Sequence, residues 1–206
     1  MKLGNKKLVL FDFDGVLIDT LISCYQINTE VNDDLDIEEY KGFFNGNIHN
    51  SIRKNGEQRE EHPEFPQKYD FFTRELKITD DLKESVKSLA MSYVLAIVSS
   101  TMTSSINQIL QREGISEYFS VVLGSDIDQS KVVKIKMLLE KYGMQPENSI
   151  FITDTLGDIK EAKECSVRSI AVTWGFQSKQ VLQKGAPAII IDDPKDLVSA
   201  IENVLK

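Results

Sequence analysis

Six short apolar runs punctuate this chain, and the stretches between most of them carry helical periodicity. The first run is LVLF at 8–11. The others are YVLAIV at 93–98 and shorter runs at 121–123, 149–153, 169–172 and 188–191. Runs of this length without polar alternation suit strands buried on both faces of a parallel sheet. Between them, DDLKESVKSLAM at 80–91 puts Leu82, Val86, Leu89 and Ala90 on one helical face. Residues 103–112 turn Ile106, Ile109 and Leu110 inward, with Gly114 as the stop. KVVKIKMLLEKY at 131–142 aligns Val132, Ile135, Leu138, Leu139 and Tyr142 ahead of Gly143. Helices at 158–164 and 194–205 complete the set. Strands alternating with helices predict an α/β fold, a Rossmann-like three-layer core around a parallel sheet.

Residues 20–80 break that alternation. Leu21, Ile22, Tyr25, Ile27, Val31 and Leu35 recur at helical spacing, and DIEEYKGFF continues the pattern to an Asn-Gly-Asn turn at 45–47. IHNSIRK at 48–54 and QKYDFFTREL at 67–76 read as further helices, and GEQREEHPEFP at 56–66 as a polar loop. The spacing thus predicts a small all-α domain, residues 20–80, inserted after the first strand. The core domain is 1–19 and 81–206.

In parallel sheets, ligands bind beyond the carboxyl ends of the strands. There the runs end in polar residues: Asp12 and Asp14 after the first, Ser99 after the second, Asp154 after the fourth. Asp12 and Asp14, one residue apart, point the same way if the strand continues. Like charges held so close resist ionisation, so a positive partner is expected. All-oxygen ligands suit magnesium. Gly15 permits the turn that leaves the strand. Taken alone, Asp-x-Asp-Gly also fits an ordinary acidic turn.

The net charge of −8 disfavours nucleic acid or an anionic membrane as partner. It leaves room for a small anionic substrate, because a bound metal can dominate a pocket. Cys24 and Cys165 fit no metal spacing and read as free thiols in a reducing, cytoplasmic setting. The N-terminal apolar stretch is short for a signal peptide, and no run approaches a membrane span. A monomer or weak dimer is the default expectation.

Four elements then act together: DFDG at 12–15, the hydroxyl cluster SST at 99–101, a lysine opening a helix at 131, and ITDTLGD at 152–158. In this order, over nearly the whole chain, they resemble the haloacid dehalogenase superfamily. The tail, IAVTWGF at 170–176 followed by Gly185-Ala186, is similar to its phosphoglycolate-phosphatase-like branch, with β-phosphoglucomutase-like members nearby.

The resemblance implies a phosphatase acting on a small phosphorylated metabolite with Mg2+. Asp12 would be the nucleophile, forming an aspartyl-phosphate. Asp14 would protonate the leaving oxygen and then deprotonate water, and its backbone carbonyl would join the metal site. Ser99 would bind the phosphoryl group, with Ser100 as the alternative and a helix N-cap as the plain structural role for Ser99. Lys131 would pair with the phosphoryl group and Asp12, with Lys134 as competitor, because KVVK stands where relatives carry Lys-Pro-x-Pro. Asp12, Asp14, Asp154 and Asp158 form the metal set, Asp158 directly or through water. Two further departures are Thr153 for a glycine and Cys165-Ser166 for Ala-Gly.

Residues 20–80 would be a cap that reads the leaving group, with Phe44-x-Gly46 facing the substrate. His49 and Arg53 are candidate specificity residues or plain surface residues. Trp174 is expected to pack. Asp14 disfavours a dehalogenase, since a halide needs no proton. The alternatives are a sugar-phosphate mutase, although Cys24 stands where that branch has a histidine, and a non-catalytic binding protein on the same fold.

Overall fold

A computed structural model of the chain describes residues 6–49 and 62–206. Its centre is one six-stranded sheet. The strands are β1 Leu8–Phe11, β2 Val94–Val98, β3 Phe119–Leu123, β4 Ser149–Thr153, β5 Arg168–Val172 and β6 Ile189–Ile191. All neighbours are parallel, in the order β3-β2-β1-β4-β5-β6. β1 lies inside the sheet: Leu8 pairs with Val94 on one side and Ser149 on the other.

Alternation along the strands feeds two cores. Val9, Phe11, Leu95, Ile97, Ile150 and Ile152 face one side. There they meet helices α4 (Asp80–Ser92), α5 (Thr103–Arg112) and α9 (Leu197–Val204) through Leu82, Val86, Ile106, Ile109 and Ile201. Leu8, Leu10, Val94, Ala96 and Phe151 face the other, against Ile135 and Leu138 of α6 (Lys131–Tyr142) and Ala162 of α7 (Leu156–Glu164). Each such fully buried side chain contributes roughly 1.5–3 kcal/mol. The three layers expected from the sequence follow from this. A short α8 (Lys179–Gln183) covers the β5–β6 side.

Between β1 and α4, apart from an isolated bridge of Asp14 with Ile18, the regular elements of the described residues are helices. These are α1 (Leu21–Thr29), α2 (Ile37–Gly42), a 3-10 turn (Phe43–Asn45) and α3 (Phe65–Thr73). The sequence pattern suggested a continuous helix from Leu21 past Leu35. Two form instead, because the Asp36 side chain accepts hydrogen bonds from the Glu38 and Glu39 N–H groups and starts a new helix. Val31 falls in the break. Helix α3 begins two residues before the expected 67, with Pro66 in its first turn, where a missing N–H costs nothing. Arg53, most of IHNSIRK and the first part of GEQREEHPEFP lie outside the described residues. Cys24, Ile27, Tyr40, Phe43 and Tyr69 of this segment join the first sheet-face core in one cluster.

At the other departure, Ser166 takes a left-handed φ of 57°, where relatives would have a glycine. A non-glycine residue there costs of order 1 kcal/mol.

Candidate active site

The carboxyl ends of β1, β2 and β4 meet at one edge of the sheet. Asp12 extends β1 by one residue, its N–H donating to Ile152 O at 2.9 Å. The chain then coils back on itself: Leu17 N–H donates to Phe13 O and Gly15 N–H to Ile18 O. Gly15 sits at φ +73°, and a Cβ there would overlap the Asp154 carboxylate. Trp174 Nε1 donates to Val16 O at 3.1 Å, so this packing side chain also braces the loop.

Asp12 is 5% exposed. Its Oδ1 accepts from the Phe13 N–H at 2.7 Å, and its Oδ2 pairs with Lys131 Nζ at 2.8 Å. Lys131, 4% exposed, also reaches Asp158 Oδ2 at 2.6 Å. Asp158 Oδ2 takes a further bond from Thr153 Oγ1 at 2.8 Å, a use for the threonine that stands in a glycine's place. Burial raises the Asp12 pKa well above the carboxylate range, with Lys131 opposing and Asp158 adding to the rise. Burial acts to raise Asp158, but the Lys131 charge together with side-chain hydrogen bonds from Asp12, Lys131 and Thr153 more than reverses it, so Asp158 sits below the usual range. Burial by itself lowers Lys131; Asp12 and Asp158 outweigh it and keep the ammonium charged.

Lys134 is fully buried but turned elsewhere, donating to Ser99 O at 2.6 Å and Gly124 O at 3.2 Å. Burial pushes it down to about 8. Ser99 is likewise fully buried, and its Oγ accepts from the Thr101 N–H at 3.0 Å. Helix α5 starts at Thr103 with Met102 at its N-cap, so Ser99 caps no helix. Ser100 and Thr101, rather than Ser99, line the pocket.

Asp14 faces that pocket inside a shell of hydroxyls. Thr20 Oγ1 and the Tyr69 phenol both donate to Oδ1 at 2.7 Å, and Thr101 Oγ1 donates to Oδ2 at 2.6 Å. The partners of the two aspartates differ in kind. Phe13 N–H and Lys131 can only donate, which favours the anionic carboxylate against the rise that burial imposes. Hydroxyls donate or accept, so the shell of Asp14 serves it with or without a proton. Thr101 stands inside the SST motif and Thr20 five residues after DFDG, and neither has a spacing signal of its own. Tyr69 reads in the sequence as one more apolar position of a helix.

The pocket walls include Tyr40, Phe44, Phe65 and Phe176, with Asn47 and His49 at polar positions. The turn carrying Phe44 is tied to the core. Gln177 Nε2 donates to Lys41 O and Asn45 Oδ1, Lys160 Nζ to Asn45 O, and Asn47 Nδ2 to Glu161 Oε1. Gly157 lets α7 approach so closely that a Cβ would strike the Gly46 carbonyl. Neither Glu161 nor Gln177 carried a sequence signal.

Asp154 supplies the test for a cation. It is fully buried; Oδ2 accepts from the Phe176 N–H at 2.7 Å, while Oδ1 has no hydrogen-bond partner among the described residues. Burial pushes its pKa up to about 7. An unmatched buried carboxylate oxygen is costly, and a cation would satisfy it. Asp154 also packs against Gly15, next to the Asp14 carbonyl. Among the described residues no three His, Cys, Asp or Glu side chains cluster as a metal site by themselves. The available donors are two carboxylates, Asp12 and Asp154, and a backbone carbonyl, with Asp158 engaged by Lys131. Hard oxygen donors of this kind, completed by water or substrate, fit Mg2+.

A family model described as haloacid dehalogenase-like hydrolase matches residues 9–172. The chain is 26% identical over 208 residues to the phosphoglycolate phosphatase of Synechococcus elongatus, covering 96% of this chain and 98% of that protein. It is 28% identical over 210 residues to the pyrophosphatase PpaX of Oceanobacillus iheyensis, covering 95% and 96%. A haloacid dehalogenase-like family hydrolase of Streptococcus pneumoniae superposes with a TM-score of 0.76 at 22% identity, over 97% of this chain and 100% of that one.

Proposed function

Because the chain belongs to the haloacid dehalogenase-like hydrolase family, we propose that it is a Mg2+-dependent phosphatase that hydrolyses a small phosphomonoester through an aspartyl-phosphate on Asp12. The observation that carries this reading is the buried Asp12–Lys131 pair, 2.8 Å apart, opening onto a pocket that also holds Asp14. A carboxylate needs a neighbouring cation to approach an anionic phosphate, and Lys131 supplies one.

In this mechanism an Asp12 oxygen attacks phosphorus in line with the ester oxygen. The P–O bond to the leaving group breaks, and Asp14 gives that oxygen its proton. Water then attacks the aspartyl-phosphate, Asp14 takes the proton back, and phosphate and the free carboxylate result. Lys131 offsets charge on the transferring group, and Ser100 and Thr101 border it. Ser99 acts from behind, holding the Thr101 backbone. Mg2+, when bound by Asp12, Asp154 and the Asp14 carbonyl, supplies charge neutralisation. Asp158 acts by orienting Lys131.

Residues 20–80 serve as the cap in this reading, and the aromatic walls they share with Phe176 select the leaving group. His49 lines the same pocket. Among the described residues no helix is long and apolar enough to cross a membrane. The two buried thiols, Cys24 and Cys165, suit a cytoplasmic protein.

The test is release of p-nitrophenol and phosphate from p-nitrophenyl phosphate, with Mg2+ or EDTA, by the native protein and Asp12→Asn. Mg2+-dependent turnover that vanishes in the variant supports the reading. Turnover surviving in Asp12→Asn, or no release of phosphate by the native protein, would sink it.

A further inference from the structure

We propose that Tyr69 is a positioning residue for the acid–base step: its phenol fixes the Asp14 carboxyl, so proton delivery to the leaving group depends on helix α3 being packed against the core. The inference rests on the phosphatase reading, in which Asp14 is the acid. It adds a residue from a part of the chain that the motifs do not reach.

Tyr69 is 1% exposed, and its ring lies among the side chains of the sheet-face core. Its hydroxyl donates to Asp14 Oδ1 at 2.7 Å. A fully buried phenol needs a partner for its O–H, and the position of α3 leaves it the Asp14 carboxylate. The two other hydroxyls on Asp14 differ in origin. Thr20 follows the β1 loop directly and Thr101 follows β2, so both are fixed by the sheet. Tyr69 arrives on α3, which packs against α1 and α5. Of the three donors it is the one carried inside a helix, remote in sequence from the strand ends. Thr20 and Tyr69 share a single oxygen, Oδ1, from different directions. With Thr101 on Oδ2, both carboxyl oxygens are held, which limits rotation of the carboxyl group.

Loss of the phenol leaves Asp14 present but less constrained. An acid out of line matters most for a poor leaving group, which departs only as it gains a proton. A good leaving group departs as an anion and tolerates the error. This separates positioning from a general structural loss, which would slow all substrates alike.

The experiment compares p-nitrophenyl phosphate, a good leaving group, with benzyl phosphate, a poor one of similar shape. Native protein, Tyr69→Phe and Asp14→Asn are assayed with Mg2+, with a thermal melt for each. Phe keeps the ring and its packing, so a midpoint close to native is expected. General acid catalysis contributes about 10²–10⁴-fold, so Asp14→Asn should lose at least about 10²-fold in kcat/KM on benzyl phosphate and far less on p-nitrophenyl phosphate; kcat/KM reports departure of the leaving group, whereas kcat also carries the later base step at Asp14 that both substrates share. Tyr69→Phe should lose about 10-fold in kcat/KM on benzyl phosphate and under about 2-fold on p-nitrophenyl phosphate. The proposal is overturned if Asp14→Asn shows the selective loss while Tyr69→Phe loses both substrates equally or neither. If Asp14→Asn shows no selectivity, the assignment of Asp14 as the acid fails and this inference with it.

Discussion

Replacing Lys131 with methionine tests the electrostatic design of the site most directly. The ammonium bridges Asp12 Oδ2 at 2.8 Å and Asp158 Oδ2 at 2.6 Å, with all three groups buried. Lys131→Met leaves two facing carboxylates without their cation. Removing one partner of a buried ion pair costs about 3–5 kcal/mol. The lower end applies if Asp12, already raised by burial, takes up a proton. For a chain of this size each kcal/mol moves the melting midpoint by roughly 2–4 °C, so the variant should melt about 6–20 °C below native. The assay is a thermal melt followed by circular dichroism at pH 7 in EDTA, so that bound metal does not mask the effect. The pH dependence has a definite sign. Asp158 is depressed in the folded state, because the Lys131 charge and the hydrogen bonds to the carboxylate together outweigh burial. Its contribution is complete above the unfolded value of about 3.9 and is lost as pH falls through the folded one. The gap between native and Lys131→Met should therefore close below about pH 4. Lys131→Met combined with Asp158→Asn removes one of the orphaned charges and should recover much of the stability at pH 7 without recovering turnover. A single variant melting within 2 °C of native at pH 7, or a double variant no more stable than the single one, would refute the reasoning.

Two further outcomes follow from other groups. Asp154 carries a pKa raised to about 7 by burial, so without metal the native protein should lose stability as pH rises from about 4 to about 7. Asp154→Asn should flatten that slope and abolish the rise in melting midpoint on adding Mg2+; an unchanged rise would rule Asp154 out as a ligand. Glu113 meets Lys83 at 2.8 Å, Arg112 at 3.3 Å and Lys77 at 3.5 Å, and these contacts outweigh burial to depress its pKa. Glu113→Gln should cost about 1–3 kcal/mol at pH 7 in urea unfolding. That cost should vanish as pH falls through the folded carboxyl's value.

The sheet was legible because each strand is a contiguous apolar run, and contiguity is what a single sequence displays. LVLF and SIFIT needed no tertiary information to be read as strands, and the polar residues at their ends followed from the carboxyl-end rule. The choice between Lys131 and Lys134 did need it. Both open the same helix, and only the 100° step per residue decides which reaches Asp12 and which reaches the Ser99 carbonyl. Ile22 and Val31 fit a helical stripe by spacing, yet they are 53% and 37% exposed: Ile22 lies on the outward face of α1, and Val31 falls after its end, ahead of the new helix that Asp36 caps. The shell of Asp14 was illegible for another reason. Thr20, Tyr69 and Thr101 come from three separated segments, and a lone hydroxyl has no spacing signature until those segments meet.

The interior placement of β1 has a consequence for synthesis. The strand that carries Asp12 is made first, yet its partners are the distant strands at Val94–Val98 and Ser149–Thr153. As the chain leaves the ribosome, one backbone edge of LVLF waits until Val94–Val98 is made and the other until Ser149–Thr153 follows. Long-range parallel pairing of this kind is slow, and a bare apolar strand is a template for association with other chains. A chain cut short before Ser149 would keep the nucleophile but expose one edge of the strand that bears it.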